Sequence, residues 1–426
     1  MCAPNAQIRM IDSSELIPGK GAMMTVNKET AESTVDDSSI SGDVLTEDLA
    51  WNDEIIEDIS TEGETDLVVY SRDWTIATIL SQIEQKNIDL NPKFQRRNAW
   101  NDSRRSKLIE SLVAGLPVPE IVLAEDQKKK KAFVVIDGKQ RLLTIAGFVD
   151  PTIGYWNNAR LKDLKLRKDL NKTTYEQLKT EPRLADEYRE FMNADIRCTI
   201  ISNFKSDDAL YDIFYRLNTG SVPLSTQELR QVLHKGPFAD FLVQVTNTPQ
   251  PIHAVLGLTG PDTRLKDVEI VLRFIAIVLF GNLYKGNLKK FLDDTMSAVT
   301  ADWDNAKPTI EHIYGELNTS IENLQKVLGT KLIGRKSIGG AWESRFNRVL
   351  FEVEAFYFRL IPATSLTAGK KKFISGLQKL FEDPEFRSSV ESTTKTNDRY
   401  ELRFTRFQNL VNASFGTNIN EVPVTA

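Results

Sequence analysis

The residues best placed to do chemistry are Asp137-Gly138-Lys139-Gln140-Arg141. They follow the apolar, strand-type run Ala132-Phe133-Val134-Val135-Ile136 and open the stretch Gln140 to Phe148, whose pattern is helical. A chain that leaves a strand and turns at once into a helix offers unpaired backbone N–H groups and the positive end of the helix dipole, which suits a phosphate. Gly138 lets a ligand approach the backbone, Lys139 adds a cation, and Arg141 can grip two phosphate oxygens. Asp137 can hold a divalent metal or receive a proton, and Gln140 can orient an attacking water. The same pentapeptide has a plainer reading, in which Asp137 caps the helix and Arg141 pairs with a surface carboxylate. On these five residues alone the two readings are equal.

The elements that must position this turn can be read from periodicity. A short strand is expected at Asp66 to Ser71, then a helix from Trp74 to Gln85, where Ile76, Ile79, Leu80 and Ile83 recur at helical spacing. A second helix runs from Ser103, as cap, to Ala114, with Leu108, Ile109, Leu112 and Val113 inward and Gly115 as its stop. Strands follow at Ile121 to Ala124 and at Ala132 to Ile136, the latter apolar throughout and so buried on both faces. A further strand near Ile196 to Ile201 precedes a helix at Asp207 to Leu217. Beyond Ser225-Thr226-Gln227-Glu228, a capping box opening a helix to Leu233, the pattern is helical almost without exception. Helices are expected at Phe238 to Val245, Asp267 to Phe280, Leu288 to Ala301, Ile310 to Leu328, Ala341 to Arg359, Ser375 to Phe381 and Tyr400 to Ala413. The expected fold is α+β: a mixed-sheet domain over residues 67–235, then an all-α domain over 236–426.

Composition bounds the rest. A chain of 426 residues with 41% hydrophobic and 27% charged side chains is globular and long enough for two cores. Its two cysteines, Cys2 and Cys198, support neither a disulfide framework nor a cysteine-rich metal site, which fits a reducing compartment. Residues 1–20 lack the apolar core of a signal peptide, and Val268 to Phe280, broken by Glu269 and Arg273, is too short to span a bilayer. The protein is therefore expected in the cytoplasm, with no membrane partner. Residues 1–66 carry 3 Lys and Arg against 16 Asp and Glu, leaving 51 basic against 43 acidic side chains in the remainder. The first 66 residues are expected to be a disordered acidic tail, either a solubiliser or an internal competitor for nucleic acid, attached to a basic body.

Several motifs stand in order around the turn. Asn91-Pro92-Lys93-Phe94-Gln95-Arg96-Arg97-Asn98-Ala99-Trp100, Leu108-Ile109-Glu110-Ser111 and Gly115-Leu116-Pro117-Val118-Pro119 precede it. Phe214-Tyr215-Arg216-Leu217-Asn218-Thr219-Gly220 and Glu228-Leu229-Arg230 follow it. This arrangement resembles the N-terminal domain family of GmrSD-type modification-dependent restriction systems, over roughly Val68 to Lys235. The resemblance implies a fold similar to ParB and sulfiredoxin. It also implies a nucleotide pocket shared by the Phe-Gln-Arg loop and the Asp-Gly-x-Gln-Arg turn, with Gln95, Arg96, Asp137, Gly138, Gln140, Arg141 and Asn218 as the matching positions. Family members with an assigned role look like NTP-hydrolysing sensors of anti-phage systems, often responding to modified DNA. Lys139 departs from the family, which most often carries glutamine there; a lysine adds phosphate affinity and counts against efficient hydrolysis.

Three readings compete. In the first, the chain is a Mg²⁺-dependent NTPase that couples nucleotide turnover to DNA and to a partner such as a separate effector nuclease, with Asp137 and Gln140 catalytic and Asp137 on the metal. In the second, nucleotide or DNA fills the same pocket without turnover and gates assembly, self-association included. In the third, Asp137 and Glu110 hold a metal for a ParB-like nuclease, which needs two convergent carboxylates. Nucleic-acid contacts are expected from Arg97, Arg104, Arg105 and Lys107, whereas the run Lys128 to Lys131 reads as a solvated loop tip. Phe94 and Trp100 can stack on a base or plug the core, and Asn218 can bond nucleotide or its own turn. Ile310-Glu311-His312-Ile313 has a superficial likeness to an HNH nuclease strand, but His312 is the last of three histidines and no second ligand follows it. No Walker-type loop or dinucleotide glycine fingerprint is present either.

Overall fold

The computed structural model describes residues 68–90, 100–126, 129–154, 156–204, 210, 213, 225–391 and 396–423. The expected acidic tail and most of the helix expected at 207–217 lie outside them.

Four strands form one mixed sheet, β1 (Val68–Thr75), β2 (Ile121–Glu125), β3 (Phe133–Asp137) and β4 (Asp195–Ser202), in the order β1-β4-β2-β3. β4 runs antiparallel to β1 and parallel to β2, and β2 runs antiparallel to β3. Side chains alternate across a strand, and here both faces of the inner strands are covered. Ile121, Leu123, Phe133, Val135, Ile196, Cys198 and Ile200 enter one core, and Val122, Ala124, Val134, Ile136 and Ile201 enter another. The two-sided burial read from the apolar run at 132–136 follows from this. Burying a Val or Ile fully is worth about 1.5–3 kcal/mol, so β3 is a firm support for the turn at its end.

The first core is closed by α1 (Ile76–Glu84), α2 (Asp102–Val113), α3 (Lys139–Val149) and α4 (Ala185–Asn193). α2 is capped by the Asn101 side chain, which accepts from the Arg104 N–H at 2.9 Å, and not by Ser103. Ser103 already lies inside the helix, and its hydroxyl donates to Asp163 Oδ2. The second core is closed by α5 (Thr226–Leu233), whose Leu229 and Val232 face the sheet. Ser225 and Glu228 cap α5 reciprocally, as the capping box predicts.

The remainder is helical: α6 (Pro237–Val245), α7 (Lys266–Phe280), α8 (Leu288–Ala301), α9 (Trp303–Leu328), α10 (Arg348–Phe358), α11 (Leu366–Leu380) and α12 (Asn397–Phe415). α7 is buried from Asp267 to Ile277 and packs on α8, α9 and α10. Three expectations change here, the first being that α11 opens at Leu366 and not at Ser375. The stretch from Ala341 is not helical at its start, because Ser337–Ile338 and Ala341–Trp342 form a small hairpin and the helix opens at Arg348. α9 begins seven residues before Ile310 and runs through Pro308, which sits early enough in the helix to be carried by the turns after it. Among the described residues no helix is long and apolar enough to cross a membrane.

Candidate functional site

The turn between β3 and α3 is built around Gly138, which adopts φ 92° and ψ 9°. A Cβ there would stand 3.0 Å from Ile121 Cγ1 and 3.2 and 3.3 Å from Arg141 Nη2 and Nε. Conformation and space thus both require glycine. No side chain caps α3, and its first turn holds no acidic residue, so the helix end is not neutralised from within. Asp137 instead accepts from Arg141 Nη2 through Oδ2 at 2.7 Å, and the same Nη2 donates to the Glu120 carbonyl at 2.8 Å. The plainer reading of the sequence changes in one part and holds in the other: Asp137 is no cap, but Arg141 does pair with a partly exposed carboxylate, that of Asp137 itself.

Arg141 is 5% exposed, yet among the described residues its Nε–H has no hydrogen-bond partner, and neither has the buried Oε1 of Gln140. An unsatisfied buried donor or acceptor costs about 1–3 kcal/mol, and here one of each sits within two residues of the uncapped helix end. Asp137 Oδ1 makes no hydrogen bond among the described residues. The turn therefore holds a donor, an acceptor and a carboxylate oxygen that no other described residue bonds.

Lys139 faces the opposite chain segment. Burial lowers its pKa, the charges of Glu228 and Asp89 act against this, and the Lys235 charge adds to it. Glu228 caps α5, and Lys235 pairs with Asp89 at 2.8 Å. The turn is thereby tied electrostatically to α5, which is tied in turn to the helical half. Ser225 Oγ donates to the Arg264 carbonyl at 2.7 Å, and the fully buried Arg230 donates through Nε to Asp293 Oδ1 at 2.6 Å. Glu228 enters the sequence reading as a capping residue and as part of the Glu228-Leu229-Arg230 motif; its electrostatic link to Lys139 joins segments about ninety positions apart, which no local pattern carries.

The family model described as GmrSD restriction endonuclease, N-terminal domain, matches residues 76–235. Those residues form a domain of the GmrSD N-terminal family. No curated protein and no solved structure matches the chain.

Within this GmrSD-type domain, Gln95, Arg96, Arg97 and Asn218, together with Phe94, lie outside the described residues. The structure brings Asp137, Gly138, Lys139, Gln140 and Arg141 together at one helix end. It separates the nucleic-acid candidates. Arg104 is exposed and lies over the Trp100 ring at 4.7 Å, and Lys107 is exposed one turn further along α2. Arg105 does not join them: it is 4% exposed, lies 5.5 Å over the Trp156 ring, and has its pKa lowered by burial. It shares the inward face with Leu108, Ile109 and Leu112.

Glu110, the second carboxylate of the nuclease reading, is also buried, and its Oε1 accepts from the Leu166 and Arg167 N–H groups at 2.7 and 2.8 Å. It is committed to holding a loop. Among the described residues no group of three or more His, Cys, Asp or Glu is placed to bind a metal. His312 is exposed on α9, 3.7 Å from Glu316 on the same helix.

Proposed function

We propose that the GmrSD-type domain binds a nucleoside triphosphate at the Asp137–Arg141 turn and hydrolyses it, as the DNA-sensing component of a restriction-type, anti-phage defence system in the cytoplasm. The observation that carries this is the pair of buried, unpartnered atoms, Arg141 Nε and Gln140 Oε1, beside an uncapped helix N-terminus that only glycine can open. A phosphate oxygen would satisfy the guanidinium N–H and the helix amides together. The single spare carboxylate oxygen of Asp137 suits Mg²⁺, which takes one or two carboxylates and completes its shell with water and phosphate oxygens. When bound there, the metal would neutralise charge on the phosphates. In this reading Gln140 would orient water, and Arg141 would hold Asp137 through Nη2 while its Nε meets the ligand.

A second reading, a nucleotide-binding gate without turnover that controls self-association or a separate effector nuclease, is favoured by Lys139. Lys139 is half-buried and feels the charges of Glu228 and Asp89, so it would add phosphate affinity and link the nucleotide to the helical half without any chemistry. The nuclease reading loses its second carboxylate to the loop held by Glu110.

Phosphate release from each of four NTPs with Mg²⁺, with and without duplex DNA, separates these. Release that DNA stimulates and Asp137→Ala abolishes supports the sensor. Saturable binding without release supports the gate, and neither binding nor release would remove the nucleotide site altogether.

A further inference from the structure

The segment 160–172 joins no long elements, yet it is pinned both by packing and by hydrogen bonds. Leu161 exchanges backbone hydrogen bonds with Thr173 and Lys172 at its base. Ser106 Oγ accepts from the Lys162 N–H at 3.0 Å, Asn171 Oδ1 accepts from the Leu164 N–H at 3.2 Å, and the buried Glu110 carboxylate accepts from two further amides. Leu161, Leu164 and Leu170 anchor it in the core. Asp163 and Lys172 hold φ 57° and 71°, a conformation that costs energy in any residue but glycine. A buried charge and two strained residues are thus spent on fixing a loop whose outer face is basic.

The acids near this face are already engaged. Asp102 pairs with Lys162, Asp163 accepts from Ser103, and Asp169 pairs with Arg167. Lys107, Lys165, Lys168 and Lys172 are exposed and make no ion pair among the described residues. Ser103 and Ser106, which bond the loop, set Arg104 and Lys107 beside it on α2. Exposed cations on a pinned backbone, with no ion pair among the described residues, are the pattern of a phosphate-backbone contact, which supplies position and affinity without reading sequence.

The geometry points to this face, Arg104 and Lys107 with Arg160, Lys165, Lys168 and Lys172, as the site where duplex DNA is held by its backbone. Leu166, 64% exposed at the loop's outer edge, would then meet a groove. A lone leucine is too little to hold a membrane surface, so DNA is the better fit. This inference rests on the DNA-sensing reading and adds the surface that reading lacks.

The test is fluorescence anisotropy of a labelled 20-base-pair duplex against salt, with wild-type protein, Lys165→Glu/Lys168→Glu, and Lys371→Glu/Lys372→Glu on the exposed face of α11. The loop variant is expected to bind at least about tenfold more weakly, with its log–log salt slope reduced by about two, and the α11 variant to match wild type. Wild-type binding that the loop variant retains in full would overturn the assignment and leave DNA sensing intact. Absence of wild-type binding to any duplex would overturn both, and loop-dependent sedimentation with phosphatidylserine vesicles in that case would give the surface to a membrane.

Discussion

Arg141 in the turn and Arg273 on α7 are buried to nearly the same degree, 5% and 1% exposed, and are used in opposite ways. Arg273 donates through Nε to Glu269 at 2.8 Å and through Nη1 to Glu352 at 2.7 Å, with its Nη2 2.7 Å from Glu269. Arg141 makes both of its bonds through one nitrogen and leaves Nε unpaired. A buried cation saturated by two carboxylates closes a core, whereas one that is held in place but unsaturated is ready for an anion. Burial alone does not separate the two cases; the count of satisfied N–H groups does.

The largest expected effect follows from the saturated arginine. Arg273→Met removes the close cation from the buried Glu352 and leaves the buried Glu269 with Arg348 at 4.0 Å, and should cost about 3–5 kcal/mol in urea unfolding at pH 7. Arg141→Met frees only Asp137, whose side chain is 26% exposed and can rehydrate, so the loss should be about 1–2 kcal/mol. Nucleotide binding should respond in the reverse order, vanishing with Arg141→Met and persisting wherever Arg273→Met remains folded. Equal stability losses would break the comparison.

Glu354 sharpens it by supplying an undersaturated buried group far from the turn. Burial raises its carboxyl pKa to about 8, against the Gly334 N–H, which donates at 2.7 Å, and the Arg335 charge. Its ordinary value is 4.5, so between about pH 5 and 8 the native state keeps a proton that the unfolded chain has lost. Stability therefore falls as pH rises through that window, and Glu354→Gln should flatten the fall. The variant should match wild type near pH 4 and exceed it by about 4–5 kcal/mol at pH 9. Parallel pH profiles would show that Glu354 is ionised in the native state.

The contrast also separates what was legible in the sequence from what was not. β3, α3 and the glycine between them could be read because an apolar run, a Gly and a helical period adjoin in the chain. The inward turn of Arg105 was legible too, since it falls at i, i+3, i+4 and i+7 with Leu108, Ile109 and Leu112, but charge weighed more than period. The hairpin at 337–342 carried its own signal in Gly339-Gly340, both at positive φ, a two-residue loop that suits tight hairpins; the apolar pattern from Val349 onward was extended back over it. α4 was passed over because Phe191 is its one deeply buried side chain. The links from Lys139 to Glu228, and from Glu110 to the amides of 166 and 167, are tertiary. The sequence offers Glu110 as a metal ligand and Glu228 as a cap, and only the fold shows which distant groups each one meets.

The smallest effect on stability, and the narrowest test of the turn, comes from glycine. Gly138→Ala and Gly416→Ala both place alanine at positive φ, 92° and 65°, but a Cβ at 416 meets nothing within 4 Å, whereas at 138 it presses on Ile121 and on the Arg141 guanidinium. The conformational penalty of about 1–2 kcal/mol is common to the two, so Gly416→Ala measures it alone and any excess in Gly138→Ala measures crowding. Because the crowded atoms include the unpaired Nε, Gly138→Ala should lower nucleotide affinity at least about tenfold while unfolding at a denaturant midpoint close to that of Gly416→Ala. If the two variants bind nucleotide alike, the opening beside Gly138 is where the backbone turns and not where a phosphate sits, and Arg141 belongs with Arg273 among the residues that only hold the fold together.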